Sequence, residues 1–168
     1  TVGASATVIG YDHAGRISRI ATEATSGQVV DELVYTYDTA GRLTRVTDAT
    51  GAYVDIVPDA VGNPLQTLYK ASSGVSRRTL QRQFDAYGRL IRVIGGAQQS
   101  RWFTYDGNDN LECDFDPRHS QAAGGSPPPC PTGGALPGYV AKTLHDAPDR
   151  VVSHKQAAMD GGETTYNY

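Results

Sequence analysis

The sequence is short of cysteine, has no long hydrophobic run and has no excess of positive charge. Cys113 and Cys130 are the only cysteines among its 168 residues, so it has no Cys-x-x-Cys motif for metal or redox chemistry. No apolar stretch approaches the ~20 residues of a membrane-spanning helix, and we predict no membrane span in this segment. The net charge is −3 and the arginines are scattered, which argues against a nucleic-acid partner.

Motifs for catalysis and cofactor binding are also missing. No Gly-x-Ser-x-Gly sequence supplies a nucleophile, and Gly95-Gly96 and Gly161-Gly162 lack the lysine and the helix of a phosphate-binding loop. The spacing of the histidines suits no zinc site. We therefore predict no catalytic residue, no metal ligand and no cofactor, and expect that the segment is not an enzyme. The histidines are His13, His119, His145 and His154.

The sequence does contain a short motif that recurs six times. Each copy begins with a ring residue and an aspartate, places a glycine three positions after the aspartate, and follows it with a polar residue. Two late copies have Asp109 and Asp149 in place of the glycine, and aspartate tolerates a positive φ better than most residues. The copies are residues 11–17 (YDHAGRI), 37–43 (YDTAGRL), 58–65 (PDAVGNPL), 84–90 (FDAYGRL), 105–111 (YDGNDNL) and 145–151 (HDAPDRV).

The spacing of the copies predicts a regular array. They start at residues 11, 37, 58, 84, 105 and 145, so the intervals are 26, 21, 26, 21 and 40 residues. The last interval is longer than the pattern requires, and a Pro/Gly-rich stretch at about 117–137 accounts for the excess as an inserted loop. Tyr168 would open a seventh copy. We predict that residues 1–168 form one array of repeats, and that the chain is a piece of a longer polypeptide.

Each copy has the chemistry of a tight hairpin turn. Aspartate accepts hydrogen bonds from backbone N–H groups within a type I turn, and glycine closes the turn with a positive φ. The flanking runs are rich in β-branched and aromatic residues, which favour strands. The motif therefore predicts an all-β fold of antiparallel hairpin repeats stacked as a ribbon. The turn aspartates could instead form a calcium ladder, but such a site needs several carboxylates for each ion, and the turn already explains each aspartate.

Alternation along the strands predicts that the ring residues share one face. Tyr35 and Tyr37 would lie on that face, and the equivalent positions in stacked copies would form ladders of mostly ring-bearing side chains. After each turn, apolar residues lie three apart, as at Leu43 and Val46, which requires a β-bulge or a sheet with two apolar faces. An arginine or asparagine four positions after each aspartate would offset repulsion between the carboxylates.

The two cysteines leave two possibilities open. Cys113 and Cys130 bracket much of the inserted loop, and a disulfide between them would stabilise it by roughly 3 kcal/mol and fit an exported protein. Two free thiols would fit assembly in the cytosol before secretion equally well.

The copies resemble the YD repeats of the Rhs (rearrangement hot spot) family, whose motif runs Tyr-Asp-x-x-Gly-Arg-Leu. The resemblance covers the whole chain outside the inserted loop, and residues 37–43 match the motif best. It implies that the chain is part of a large hollow shell of the kind also found in insecticidal toxin complexes and in teneurins. The residues that match the motif are Tyr11, Asp12, Gly15, Arg16, Tyr37, Asp38, Gly41, Arg42, Asp59, Gly62, Phe84, Asp85, Gly88, Arg89, Tyr105, Asp106, Asp146 and Arg150.

The resemblance also implies a function. In bacteria such shells enclose a C-terminal toxin, a polymorphic tail that is delivered to competing cells, often through type VI or related secretion systems. The expected partners are the remainder of a larger Rhs polypeptide, its toxin and secretion-system spike proteins, and the expected location is secreted or extracellular. The family's self-cleaving core has no counterpart in these residues, so neither self-cleavage nor toxicity is expected of this segment. The alternative is an extracellular module that binds carbohydrate or a cell surface through its aromatic rows.

Overall fold

A computed structural model describes residues 5–117, 127–133, 136–156 and 163–165. All regular secondary structure in these residues is β-strand, which confirms the predicted all-β class. The chain divides into two compact units, Thr1–Gln81 and Arg82–Tyr168. The strands are β1 (Ser5–Tyr11), β2 (Ile17–Ala24), β3 (Val29–Tyr37), β4 (Leu43–Asp48), β5 (Tyr53–Pro58), β6 (Pro64–Lys70), β7 (Ser76–Phe84), β8 (Leu90–Ile94), β9 (Ser100–Tyr105), β10 (Leu111–Phe115), β11 (Val140–His145), β12 (Val151–Gln156) and β13 (Glu163–Thr165).

Strand order in each unit follows the order of the chain. In the first unit, the strands from β1 to β7 are each hydrogen-bonded to the next strand in the chain. The same holds for β8 to β13 in the second unit. The pairs for which a register is defined are antiparallel, as between β3 and β4, where Tyr35 lies opposite Val46. Each repeat therefore supplies a hairpin that pairs with the next, as the sequence predicts.

A β-bulge follows the turn of each repeat in the first unit. Tyr11 lies opposite Ile17 and Gly10 lies opposite Arg19, so Ser18 is an extra residue in β2. The bulge brings Ile20 opposite Ile9, on the face that also holds Tyr11. The three-residue spacing of apolar residues thus reflects a bulge, one of the two explanations that the sequence allowed. The third copy differs, because Leu65 is itself the extra residue and Thr67 lies opposite Ile56.

The two faces of the first unit differ in chemistry. The register places Tyr35, Val46 and Val54 in one row across three strands, and this face is apolar. On the opposite face, Arg45 Nε lies 2.6 Å and Lys70 Nζ 3.2 Å from the carboxylate of Asp55. Alternation along the strands therefore separates the face that holds the opening rings of the repeats, here called the ring-bearing face, from a face of ion pairs. On the second face Arg45 also lies 4.1 Å from the centre of the Tyr53 ring.

The second unit contains a small buried core. Trp102, Cys113, Phe115 and Val140 are each at most 2% exposed and pack together, with Cys130 and Tyr139 against them. Phe115 lies opposite both Trp102 and Val140, so this core is on the face opposite to Phe103 and Tyr105. Cys130 belongs to the inserted loop, and Tyr139 lies between that loop and β11.

Candidate functional site at the repeat turns

Six turns with the same backbone hydrogen bonds close hairpins of the repeats, three in each unit. In the turn of residues 38–42, the N–H of Asp38 donates to the carbonyl of Arg42 at 2.9 Å, and the N–H of Gly41 donates to the carbonyl of Asp38 at 3.0 Å. We call these the repeat turns. They span residues 12–16, 38–42, 59–63, 85–89, 106–110 and 146–150, and each contains the same two bonds.

The fourth position of every repeat turn has a positive φ. Gly41 has φ 83° and Gly88 has φ 79°, and Asp109 and Asp149, which replace glycine, have φ 70° and 64°. A side chain in this region is strained, but aspartate tolerates it. The copies that lack glycine therefore keep the same turn.

The aspartate carboxylate holds each turn through both of its oxygens. Asp38 Oδ1 accepts hydrogen bonds from the N–H groups of Ala40 and Arg42, each at 2.9 Å, and Oδ2 accepts one from Arg42 Nε at 2.7 Å. The backbone hydrogen bond from Arg42 is the largest of the effects that lower the pKa of Asp38 below its ordinary value of 3.8. Hydrogen bonds to the ionised form favour that form, so the turn holds Asp38 as a carboxylate.

Asparagine takes the place of arginine in two repeat turns. Asn63 Nδ2 donates to Asp59 Oδ2 at 2.9 Å, and Asn110 Nδ2 donates to Asp106 Oδ2 at 3.3 Å. Burial acts to raise the pKa of Asp59, but hydrogen bonds from Asn63 and from backbone N–H groups outweigh it and the pKa is lowered. Arginine and asparagine thus fill the same role within a turn and differ in what they reach beyond it.

Arginine and tyrosine connect neighbouring hairpins. The guanidinium of Arg16 lies 4.4 Å from the centre of the Tyr37 ring, and the Tyr37 hydroxyl donates to the carbonyl of Ile17 at 2.7 Å. We call this arrangement the Arg–Tyr clasp. It recurs in the second unit, where Arg89 lies 4.6 Å from the Tyr105 ring and the Tyr105 hydroxyl donates to the Leu90 carbonyl at 2.8 Å.

The clasp replaces the aromatic ladder that the sequence predicts. Each ring is paired within its own hairpin with an aliphatic residue, as Tyr37 is with Leu43. Because each copy adds two strands, equivalent rings in successive copies are separated by a strand, roughly 10 Å apart across the sheet. The opening rings of successive copies therefore do not pair directly across adjacent strands, and at two junctions an arginine lies over the ring.

The last repeat turn joins its neighbour in a different way. Asn110 and Asn108 donate through their Nδ2 atoms to Asp149 Oδ1 at 2.8 and 3.1 Å. His145 occupies the position that tyrosine has in the Arg–Tyr clasp, and its Nδ1 lies 3.8 Å from Asp106 Oδ2. This junction therefore has asparagine instead of arginine and histidine instead of tyrosine.

Cys113 and Cys130 form a disulfide in the structure, with their Cα atoms 5.8 Å apart. The bond connects β10 to the Pro-rich stretch that covers Trp102 and Phe115. Sequence reasoning missed this core. One signal was present in the sequence. Trp102 stands three residues before the opening ring of its copy, and at that position the third copy has the charged Asp55.

The remaining candidate side chains do not converge in the described residues. His13 is exposed in a turn, and His154 Nδ1 lies 2.9 Å from the Thr143 hydroxyl. No three side chains of the metal-binding types gather in the part of the chain that the structure describes. The same part has no helix with the length and hydrophobicity that a membrane crossing needs. His119, Gly161-Gly162 and Tyr168 lie outside the described residues.

Comparisons with known proteins agree with this geometry. The family model "RHS Repeat" matches residues 11–53. Over 110 residues, 61% of this chain, the sequence is 32% identical to "Double-stranded DNA deaminase toxin A" of Burkholderia cenocepacia (strain H111), and the match covers 7% of that protein.

Solved structures share the fold. The crystal structures of TcdB2-TccC3-Cdc42 and of TcdB2-TccC3 match 96% of this chain with TM-scores of 0.59, at 11% and 14% identity. The match covers 10% of each of those chains. This chain therefore spans between 7% and 10% of the length of these three proteins.

Proposed function

This chain carries RHS repeats, and from that premise we propose that it is a structural segment in the wall of a larger shell associated with a toxin. The shell encloses a C-terminal toxin and helps to deliver it in competition between bacteria. The observation that supports this role is the identical hydrogen bonding of the six repeat turns. These bonds close each turn, and hydrogen bonds to the aspartate occupy its carboxylate, while contacts such as that of Arg16 with the Tyr37 ring connect one hairpin to the next.

The known proteins support a role in a toxin. The relative from Burkholderia cenocepacia is named a toxin and is 32% identical over the matched region. This chain corresponds to only 7% of that relative, so any toxic activity belongs to other parts of the parent. We infer that the segment catalyses no reaction of its own.

The proposed role determines the partners and the location. The partners are the remaining repeats of the parent and the enclosed toxin, and secretion-system spike proteins are a further candidate. The whole polypeptide acts outside the cell that makes it, so the segment is secreted as part of it.

The structure lends less support to carbohydrate binding. Sugar rings stack on open aromatic faces, but Arg16 covers a face of Tyr37 and Arg89 covers a face of Tyr105. Tyr87 is 81% exposed and Tyr11 is 62% exposed, so these two rings are the most open to a ligand among the tyrosines that the structure describes. A glycan would therefore contact isolated rings and not a continuous row.

Protease protection of the toxin tests the proposal. The full parent and its isolated C-terminal tail are digested with proteinase K, and the survival of the tail is followed by mass spectrometry. We expect the tail to persist in the parent long after the isolated tail has been degraded, and to lose protection when residues 1–168 are deleted. Equal rates of degradation in the parent and in isolation would contradict enclosure.

Co-culture tests the proposed delivery. A producing strain and a strain that lacks residues 1–168 of the parent are each grown with a sensitive competitor. We expect killing by the first strain only. Killing that does not depend on these residues would show that the segment is dispensable for delivery.

A further inference from the structure

The side chain of Lys142 joins the inserted loop to the strands of the second unit. Its Nζ donates to the carbonyl of Pro131 at 2.6 Å and lies 3.1 Å from Glu112 Oε1. Only 15% of the side chain is exposed. The ammonium group therefore links β11 to a residue of the loop, beside the disulfide of Cys113 with Cys130.

The register of β10 explains why these groups meet. Lys142 lies directly opposite Cys113, so both side chains share the face that carries the small core. In the pairing with β9, Cys113 lies opposite Thr104 and Glu112 is an extra residue. A bulge sets two residues against one, so Glu112 lies on the same face as Cys113 and within reach of the ammonium group.

The Pro-rich stretch has few groups of its own with which to bind the strands. Residues 127–131 are Pro-Pro-Pro-Cys-Pro, and proline has no backbone N–H. Within this run only Cys130 can donate a backbone hydrogen bond, so the run cannot build a ladder like that of a strand. Its carbonyl groups still accept hydrogen bonds, and Lys142 supplies a charged donor to one of them, which makes a stronger bond than a neutral donor.

We propose that Lys142 is a positioning residue for the disulfide, which holds the carbonyl of Pro131 and so keeps Cys130 beside Cys113 while both cysteines are still thiols. Pro131 follows Cys130 directly in the chain, with Cα atoms about 3.8 Å apart, and its ring restricts the backbone between them. This inference goes beyond the proposed function, because it concerns the closure of the inserted loop and does not depend on any cargo.

The exposure of the two cysteines sets the order of oxidation. Cys113 is 0% exposed and Cys130 is partly exposed, so a small disulfide reagent such as oxidised glutathione reaches Cys130 first. The sulfur of Cys130 gives up its proton and attacks the reagent, which forms a mixed disulfide and releases one glutathione thiol. The sulfur of Cys113 then attacks that of Cys130, and the second glutathione leaves as a thiol. The two cysteines thus lose two electrons and two protons, which reduce the reagent to two thiols.

Lys142 acts on the second of these steps. The first step needs access to Cys130 but no particular position of the loop. The second step is intramolecular, and its rate rises with the fraction of time that Cys130 spends beside Cys113. Loss of the ammonium group should therefore slow closure and leave the first step unchanged, so that the mixed disulfide accumulates.

Oxidation of the full chain by oxidised glutathione tests the proposal. The reduced protein is mixed with an excess of the reagent and quenched with acid at intervals, and mass spectrometry separates the mixed disulfide from the closed form. We expect Lys142→Met, which keeps the aliphatic stem, to slow closure about tenfold and to accumulate the mixed disulfide. Lys142→Arg restores a charged donor and should bring closure to within about threefold of the wild-type rate.

Arg101→Met is the matched control. Arg101 Nε donates to Asp114 Oδ1 at 2.7 Å, on the face of β10 opposite to Cys113, so this variant removes an ion pair from the same strand and leaves Lys142 in place. We expect it to close at the wild-type rate. The proposal is overturned if Lys142→Met closes as fast as the wild type, if Arg101→Met is slowed as much, or if Lys142→Arg closes no faster than Lys142→Met.

Circular dichroism of the reduced proteins checks that each variant is folded. If Lys142→Met does not fold, Glu112→Gln takes its place in the experiment, because it removes the ion pair that holds the ammonium group and keeps Lys142 itself. We expect Glu112→Gln to slow closure by a smaller factor than the loss of Lys142 would. Closure of Glu112→Gln at the wild-type rate would then overturn the proposal.

Discussion

A single carboxylate organises each repeat turn at the scale of the residue. Asp38 accepts hydrogen bonds from two backbone N–H groups and from the guanidinium of Arg42. Without the carboxylate, these backbone N–H groups of the turn would need water as their acceptor. The same bonds lower its pKa. The aspartate is therefore a structural residue, and its negative charge strengthens the hydrogen bonds that hold the turn.

Acid should weaken the turns. A carboxylate whose pKa is lowered by folding stabilises the protein above its unfolded value and loses that contribution as the pH falls through the folded value. The ordinary pKa is 3.8, so we expect the thermal midpoint to hold down to about pH 4 and to fall between there and pH 2. Asp38→Asn, which cannot ionise, should lower the midpoint at neutral pH and reduce the acid-induced fall, as measured by circular dichroism. An equal fall in both proteins would contradict a role for this carboxylate.

Substitution of the turn glycine should distinguish strain in the backbone from a steric clash of the added side chain. Gly88 has φ +79° and nothing within 4 Å of an added Cβ, so alanine there is strained but does not clash. We expect Gly88→Ala to lower the free energy of unfolding by about 1 kcal/mol. Gly88→Asn should cost less, because asparagine tolerates this region and two repeat turns already have aspartate there. Urea denaturation measures both, and an equal loss would point away from backbone strain.

The contact between hairpins is the decisive feature at the scale of the element. Within a hairpin, the turn sets the register, but the Arg–Tyr clasp connects the hairpin to its neighbour through one ring face and one hydroxyl. This arrangement explains why arginine and the opening ring occur together in the motif although they act in different hairpins. Burial raises the pKa of Tyr105, so its hydroxyl stays protonated and remains a donor.

Removal of one hydroxyl should test the clasp. Tyr37→Phe deletes the hydrogen bond to the Ile17 carbonyl and keeps the ring beneath Arg16, and we expect a loss of about 1 kcal/mol in the free energy of unfolding. Tyr87→Phe is the control, because Tyr87 is 81% exposed at the tip of a turn. Urea denaturation of both variants should show an effect at Tyr37 only, and a stable Tyr37→Phe would mean that the ring alone makes the clasp.

The disulfide should control the core of the second unit. Cys113 and Cys130 are separated by 17 residues, and a bond closing a loop of that length stabilises by about 3 kcal/mol. We expect Cys113→Ala combined with Cys130→Ala to lower stability by that order and to shift the emission of Trp102 to longer wavelength, since its cover is loosened. The wild type after reduction should behave in the same way. Unchanged emission in both would show that packing alone holds the loop.

At the scale of the whole molecule, the main feature is the exposed edge of strand β1. All but one residue of β1 is exposed, and in the described residues β1 pairs only with β2. Its outer N–H and C=O groups form a template for another strand. The first unit also leaves apolar side chains of its ring-bearing face open to water, including Ile9 at 46%. Both features suit a segment that other repeats of its parent would continue.

The isolated chain should therefore associate. We expect light scattering of residues 1–168 to give a mass above that of one chain, 17.9 kDa, and this mass should rise with concentration. Val8→Lys in β1 adds a charge to the edge strand and should reduce association, while Val61→Lys, at a turn tip that is 84% exposed, should not. A soluble, monodisperse wild-type monomer would count against an exposed edge that needs a partner.

The sequence by itself determined the hairpins, because the turn chemistry is local. Aspartate and a residue with positive φ, three positions apart, specify the same reversal wherever they occur, and Asp109 and Asp149 keep it without glycine. The bulge after the turn was also visible in the spacing of Leu43 and Val46, although the sequence left a second explanation open. The all-β class and the resemblance to RHS repeats followed from the same short pattern.

Only the tertiary structure decided how the hairpins meet. Contacts such as Arg16 with Tyr37 join residues 21 apart, and the motif does not reveal whether a ring faces another ring or a guanidinium. The core around Trp102 depends on a loop that closes over the face opposite to Phe103, so its residues show no common spacing. These features come from the packing of strands that are distant in the chain, and that packing depends on register and bulges which no single copy contains.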